Sequence, residues 1–191
     1  MIPVNNKILV RVDMSQKNTI EVGGIKVSTA LLFETNYREK SPVIAVVVKG
    51  NEILKKDDII CCHHNHYYHP SPYHVQEDLF SIPFNRTIFG VFDKNGVLNP
   101  VCGNVLGEKV YEKTLLPLPP EKMVHYKDRI IITNGGNTQY KENDLVFTRP
   151  SAPYDIVYNW NNTEFRVTKV DSQMIVGVVK GYNKQKFSFV S

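Results

Sequence analysis

One six-residue segment occurs twice in this chain. Lys55-Lys56-Asp57-Asp58-Ile59-Ile60 is echoed 86 residues later by Lys141-Glu142-Asn143-Asp144-Leu145-Val146. Two further echoes keep the same order. Ser71-Pro72-Tyr73-His74-Val75 matches Ala152-Pro153-Tyr154-Asp155-Ile156 at an offset of 81, and Phe89-Gly90-Val91-Phe92 matches Val176-Gly177-Val178-Val179 at 87. A period near 86 is too long for a solenoid and fits a duplicated domain. The 191 residues therefore divide into domains 1–95 and 96–191, with the boundary at the turn signal Asp93-Lys94-Asn95-Gly96, ahead of Pro100. Each half is small for a self-sufficient core, so packing between halves or oligomerisation would add stability.

Helical periodicity is nearly absent. The apolar runs are short, β-branched and bounded by Gly, Pro, Asn or Asp, which is the strand pattern. They are Ile8 to Val12, Val43 to Val48, Ile59 to Cys62, Leu79 to Ile82 and Ile88 to Phe92. The second half gives Val105-Leu106, Ile130 to Thr133, Leu145 to Thr148, Ile156 to Trp160, Phe165 to Val170 and Met174 to Val179. Val43 to Val48 is apolar throughout and reads as a strand buried on both faces. Short, closely spaced strands imply an all-β fold, a barrel or a sandwich.

Charge and cysteine usage narrow the partners. The net charge is +4 with no block of five basic residues, so no nucleic-acid partner is expected. Lys180 to Lys186, the densest basic stretch, reads as a solvated strand or tail. Three cysteines, two of them adjacent at Cys61-Cys62, point to reduced thiols and a cytoplasmic setting. Met1 to Val12 alternates polar and apolar residues rather than forming the apolar core of a signal peptide. No run of 18 apolar residues exists, so no membrane partner is expected. Asn85-Arg86-Thr87 and Asn161-Asn162-Thr163 match the glycosylation pattern, by chance if the chain is not secreted.

Each half resembles a subunit of the GroES-type co-chaperonin family. That pattern runs from an opening strand through a mobile loop and a strand ending near Gly to a Lys-x-Gly-Asp turn; a Tyr-containing hairpin and a closing strand follow. Lys7 to Val12, Val43 to Gly50, Leu54 to Ile60 and Thr87 to Phe92 resemble its parts in the first half. Asn104 to Val110, Asp128 to Gly135, Gln139 to Val146 and Gln173 to Val179 do so in the second. The resemblance rests on order and spacing over almost the whole chain. It implies an all-β fold of two tandem GroES-like small β-barrels, with a long mobile loop in 1–95, and a shortened loop and C-terminal tail in 96–191. Where the family has Gly in its turn, this chain has Asp57 and Asn143, ahead of Asp58 and Asp144. Both tolerate the left-handed backbone better than most residues, and the following Asp can accept bonds from nearby amides.

The family grips its chaperonin through the mobile loop, where Gly-Gly precedes an apolar tripeptide. Gly23-Gly24-Ile25-Lys26-Val27 sits in the matching place, with Lys26 departing from the apolar pattern. Leu31-Leu32-Phe33, after Ala30, offers a second docking segment. The alternative is that Ile25 and Val27 form one face of an ordinary strand. In the second half, Leu115-Leu116-Pro117-Leu118-Pro119-Pro120 is a stiff connector instead. The intervals Lys49 to Ile53 and Gly135 to Thr138 are too short for the family's roof hairpin. The layout thus resembles roofless phage-encoded co-chaperonins and, in its tandem form, the chloroplast double-domain one.

Five of six histidines lie between Cys61 and His74: His63, His64, His66, His69 and His74 itself. On a strand, His64 and His66 would share a face with Cys62 and could chelate Zn or Ni. Tyr67, Tyr68, Pro70 and Pro72 favour a polar loop at a rim. Gly-x-Ser-x-Gly, P-loop and Gly-x-Gly-x-x-Gly patterns are lacking. Medium-chain alcohol dehydrogenases also carry a GroES-like domain, and Pro100-Val101-Cys102-Gly103 is faintly similar to their Cys-rich lobe, but no βαβ pattern supplies a dinucleotide-binding domain. The expectation is a non-enzyme without cofactor. The first reading is a co-chaperonin ring capping a chaperonin. The second is a phage virion component (neck, tail or capsid ring) located in the host cytoplasm or the particle. They differ on Gly23 to Lys40: a free loop suits the first, a segment packed against neighbours the second.

Overall fold

The computed structural model describes residues 6–13, 19–29, 42–63, 72–111 and 124–182. Among them the chain forms strands and one short 3-10 turn, Ser172–Met174, and no α-helix. The strands are β1 Lys7–Arg11, β2 Thr19–Val22, β3 Ile25–Thr29, β4 Val43–Lys49, β5 Ile59–Cys62, β6 His74–Gln76, β7 Leu79–Pro83 and β8 Ile88–Phe92. They continue as β9 Leu98–Pro100, β10 Asn104–Tyr111, β11 His125–Asn134, β12 Leu145–Thr148, β13 Tyr154–Trp160, β14 Thr163–Asp171 and β15 Ile175–Val179. Every apolar run read as a strand falls within one, save that Val12 lies just past β1 and Met174 in the 3-10 turn before β15.

Two compact units emerge. One is Met1–Cys102 with Ile156–Arg166, the tip of the β13–β14 hairpin; the other is Gly103–Asp155 with Val167–Ser191. The first unit holds the antiparallel order β6-β7-β1-β4-β5-β8-β9 and a separate ladder in which β3 lies between β2 and β13. The second holds β14-β10-β11-β12-β15.

The duplication is written in the strand pairing. β7-β1-β4-β5-β8 and β14-β10-β11-β12-β15 are the same order of neighbours. Registers coincide too. Ala45↔Ile60 and Val46↔Ile59 have as counterparts Ile130↔Val146 and Ile131↔Leu145. The irregularity between Leu9 and Val10 opposite β4 recurs between Leu106 and Gly107 opposite β11. A second, between Cys61 and Cys62, recurs between Phe147 and Thr148. Bulges re-aim a strand at a chosen residue, so two bulges at matched positions identify one fold used twice.

Cores follow the alternation of side chains. Ile8, Val10 and Val12 point inward to Val43, Ala45, Val47, Leu54, Ile60, Phe80, Ile82 and Ile88. In the second unit Val105, Ile130, Ile132, Tyr140, Val146 and Val170 do the same. Val43 to Val47 are all buried, as a run apolar on both faces requires.

The all-β class stands, but closed barrels do not describe the sheets. Among the described residues both sheets are open: β6 and β9 end one ladder, β15 one side of the other. A barrel needs its first and last strands to hydrogen-bond to each other. Here the outer edge of β8 is taken by β9, through Gly90↔Pro100, Val91↔Asn99 and Phe92↔Leu98, and not by the strand at the far end.

Candidate interaction site: a glycine hairpin and two copies of one turn

Gly23 and Gly24 are the two central residues of a tight hairpin. Val22 pairs with Ile25 across them, and their φ angles are +57° and +79°. Positive φ at both central positions is the geometry that matches the twist of two paired strands, and glycine adopts it without a Cβ penalty. Within Gly23 to Lys40, where a free loop was one expectation and an ordinary strand at Ile25 and Val27 the other, Ile25–Thr29 is strand β3. β3 pairs on its other side with β13, through Val27↔Trp160 and Ser28↔Asn159. The Lys26 amide donates to Asn161 Oδ1 (3.1 Å), and the Asn161 amide donates back to the Lys26 carbonyl (3.0 Å). Ile20 and Val27 are buried, Ile25 is half-buried, and Lys26, Gly23 and Gly24 are exposed. Leu31, Leu32 and Phe33 lie outside the described residues.

The two Lys-x-Asx-Asp turns are the same object. Asp57 and Asn143 have φ of +70° and +66°. The Asp57 amide donates to the Val47 carbonyl (2.8 Å) and the Asn143 amide to that of Ile132 (2.8 Å). Asp58 Oδ2 accepts from the Lys55 amide (2.7 Å), and Asp144 Oδ2 from the Lys141 amide (2.9 Å). Gly50 and Gly135 each leave β4 or β11 where a Cβ would strike the backbone carbonyl of Leu54 or Tyr140. The interval too short for a roof hairpin is a tight reversal in both copies.

The second turn carries more. Lys180 Nζ reaches Asp144 Oδ2 (2.9 Å), the Gly181 amide donates to Oδ1 (3.2 Å), and the Tyr182 amide to the Asn143 carbonyl (2.6 Å). Burial opposes charge on Asp144, but the Lys141 amide, Lys180 and the Gly181 amide outweigh it and hold the carboxyl below its ordinary range. These carboxylates serve as backbone staples, with lone pairs directed at amides.

Cys62 is fully buried in the core and its Sγ donates to the Val43 carbonyl (3.3 Å), while His64 and His66 lie outside the described residues. Burial, then the neighbouring Cys62, pushes the Cys61 thiol up. His63 sits edge-on to Phe89, and His74 Nε2 lies 2.8 Å from the Glu77 carbonyl. Among the described residues no three His, Cys, Asp or Glu side chains gather as metal ligands.

Two features had no sequence signal. Around the turn at Gly96 (φ +82°), Phe92 packs against Tyr158 and Trp160, and Tyr158 donates its hydroxyl to the Gly96 carbonyl (3.0 Å). Burial raises the Tyr158 phenol to about 12. In the second unit a cleft of about 170 Å³ is lined by Lys109, His125, Lys127 and Asp155; Lys109 is paired with Asp155, which also accepts from Thr168 Oγ1 (2.9 Å). No helix among the described residues is long and apolar enough to cross a membrane. No family model, no curated protein and no solved structure matches the chain.

Proposed function

We propose that this chain is a non-enzymatic assembly protein, a duplicated β-module that builds a ring or other repeating part of a larger particle such as a phage neck, tail or capsid. The observation that carries this reading is the glycine hairpin. Gly23-Gly24 closes two strands, of which β3 pairs on its other side with β13, and buried Ile20 and Val27 anchor them. Rigid, sheet-embedded segments suit permanent interfaces, and function then lies in surfaces, not in a reacting group. In electron micrographs, purified protein without any partner is expected to show repeating oligomers.

The co-chaperonin is the second reading. It is favoured by the exposed hairpin tip, Gly23, Gly24 and Lys26 beside half-buried Ile25, which a groove in a chaperonin could receive with Leu31-Leu32-Phe33. Sedimentation with a chaperonin and ATP separates the two: co-sedimentation supports capping, and oligomers that never co-sediment with the chaperonin support the particle component.

A further inference from the structure

Three equivalent places hold apolar packing in one unit and charge in the other. Register fixes two of them. Val10↔Val47 and Arg11↔Val46 match Gly107↔Ile132 and Glu108↔Ile131, which sets Val12 against Lys109. Val10↔Phe80 matches Gly107↔Thr168, which sets Phe80 against Thr168. The echo of Tyr73-His74 in Tyr154-Asp155 sets His74 against Asp155. In the first unit Val12 and Phe80 belong to the core, and the His74 ring lies 5.2 Å from that of Phe80. In the second unit Lys109 is paired with Asp155, and Thr168 Oγ1 donates to Asp155 Oδ1 (2.9 Å). A partly exposed ion pair stabilises a fold less than the packed apolar groups it replaces. The exchange therefore points to a use for the charges at this place.

Lys109 and Asp155 line the cleft of about 170 Å³, and an interruption of the sheet supplies more of its lining. Between Lys109↔Ile130 and Tyr111↔His125, Val110 alone stands opposite residues 126–129. Bulges re-aim side chains and are over-represented beside functional sites. This one brings His125 and Lys127 to the cleft. Arg129, at its end, is taken up elsewhere: it bonds Asp128 (2.9 and 3.3 Å), and its guanidinium lies 3.9 Å from the centre of the Tyr126 ring. Lys109 and Lys127 against Asp155 leave the cleft one positive charge with His125 neutral. Ile130, Pro150 and Pro153 supply its apolar lining, and the prolines stiffen it.

We propose that this cleft binds a small organic monocarboxylate, a carboxylate on an apolar body no larger than about one aromatic ring. A cavity of roughly 150 Å³ receives one benzene molecule, and this cleft is of that order. The single negative charge of the ligand matches the single positive charge of the lining. An ammonium has three donors, so Lys109 keeps donors for the ligand while paired with Asp155. Phosphate fits less well: it carries nearly two charges and has no apolar body to set against Ile130, Pro150 and Pro153. A free acid and the C-terminus of a peptide share the carboxylate chemistry, and the probes below tell them apart.

The test is ligand-observed saturation-transfer NMR on the full chain, which reads monomers and large assemblies alike. The probes are benzoate, its uncharged counterpart benzamide, and an acetylated glycyl-valine with a free C-terminus. Benzoate is expected to bind with a dissociation constant of about 1 mM, and benzamide at least about threefold more weakly. Tighter binding of benzoate than of the peptide marks a free acid as the source, and the reverse marks a chain terminus. Lys127→Gln removes an exposed attracting charge and is expected to weaken benzoate about threefold. Asp155→Asn removes the repelling charge, keeps an acceptor for Thr168 and is expected to tighten it about threefold. Lys56→Gln, an exposed lysine of the first unit, is the control and changes nothing. All three variants are expected to keep the wild-type circular dichroism. Benzamide binding as tightly as benzoate overturns the proposal. So does a Lys127→Gln protein that binds no more weakly than Lys56→Gln, or an Asp155→Asn protein of wild-type dichroism that binds no more tightly than wild type.

Discussion

Replacing Asp144 with alanine should cost clearly more than the same change at Asp58, although the two sit at equivalent places in duplicated turns. Both lose a bond from the amide three residues earlier, Lys55 at 2.7 Å and Lys141 at 2.9 Å. Asp144 alone also accepts from the Gly181 amide and Lys180. A bond from an amide to a charged acceptor contributes about 1.5 kcal/mol. Two such bonds come to about 3 kcal/mol, and the exposed Lys180 ammonium adds under about 1 kcal/mol. Releasing a buried charge returns part of this, leaving about 2–3 kcal/mol for Asp144→Ala against about 1–1.5 kcal/mol for Asp58→Ala. Hydrogen-exchange mass spectrometry resolves the units separately: peptides spanning β11 and β12 report Asp144, those spanning β4 and β5 report Asp58. The chain's single tryptophan, Trp160, reports the first unit independently by fluorescence. If Asp144→Ala costs no more than Asp58→Ala, the reasoning from carboxylate bonds to turn stability fails.

The remaining expectations concern pH, space and thiols. Because the folded Asp144 carboxyl lies below its ordinary value, its contribution is present above the unfolded value of about 3.9 and is lost as pH falls through the folded one. Acid titration of second-unit exchange should therefore show a steeper loss in wild type than in Asp144→Ala. Gly50→Ala and Gly135→Ala each drive a Cβ into a backbone carbonyl and should cost about 3 kcal/mol by urea denaturation, whereas Gly177→Ala, which meets only Phe147 at ordinary contact distance, should cost under about 1 kcal/mol. Cys102, raised to about 12 by burial, and buried Cys61 should resist a thiol reagent at neutral pH in the native protein and react once it is unfolded; fast native reaction at either would contradict the burial.

The all-β class and most strands were legible because β-branched runs punctuated by turn residues carry a local signal. The Asp57 and Asn143 turns were legible for the same reason: an Asx residue before Asp announces a left-handed position, and φ of +70° and +66° follow. Long-range pairing was not legible. Thr19–Val22 and Ile25–Thr29 carry Thr, Glu, Lys and Ser among their apolar residues, and only their pairing with each other and that of Ile25–Thr29 with β13, some 130 residues away, shows them to be sheet and not loop. β9 was hidden by Pro100, which reads as a boundary although an edge strand accepts it. Open sheets and closed barrels share one local pattern, so the difference between them lay beyond sequence periodicity.

Native mass spectrometry of the purified chain, without chaperonin or any other partner, tests the assembly reading most directly. Complexes at whole multiples of the 21.9 kDa chain are the predicted result. A single 21.9 kDa species at every micromolar concentration tried would contradict it.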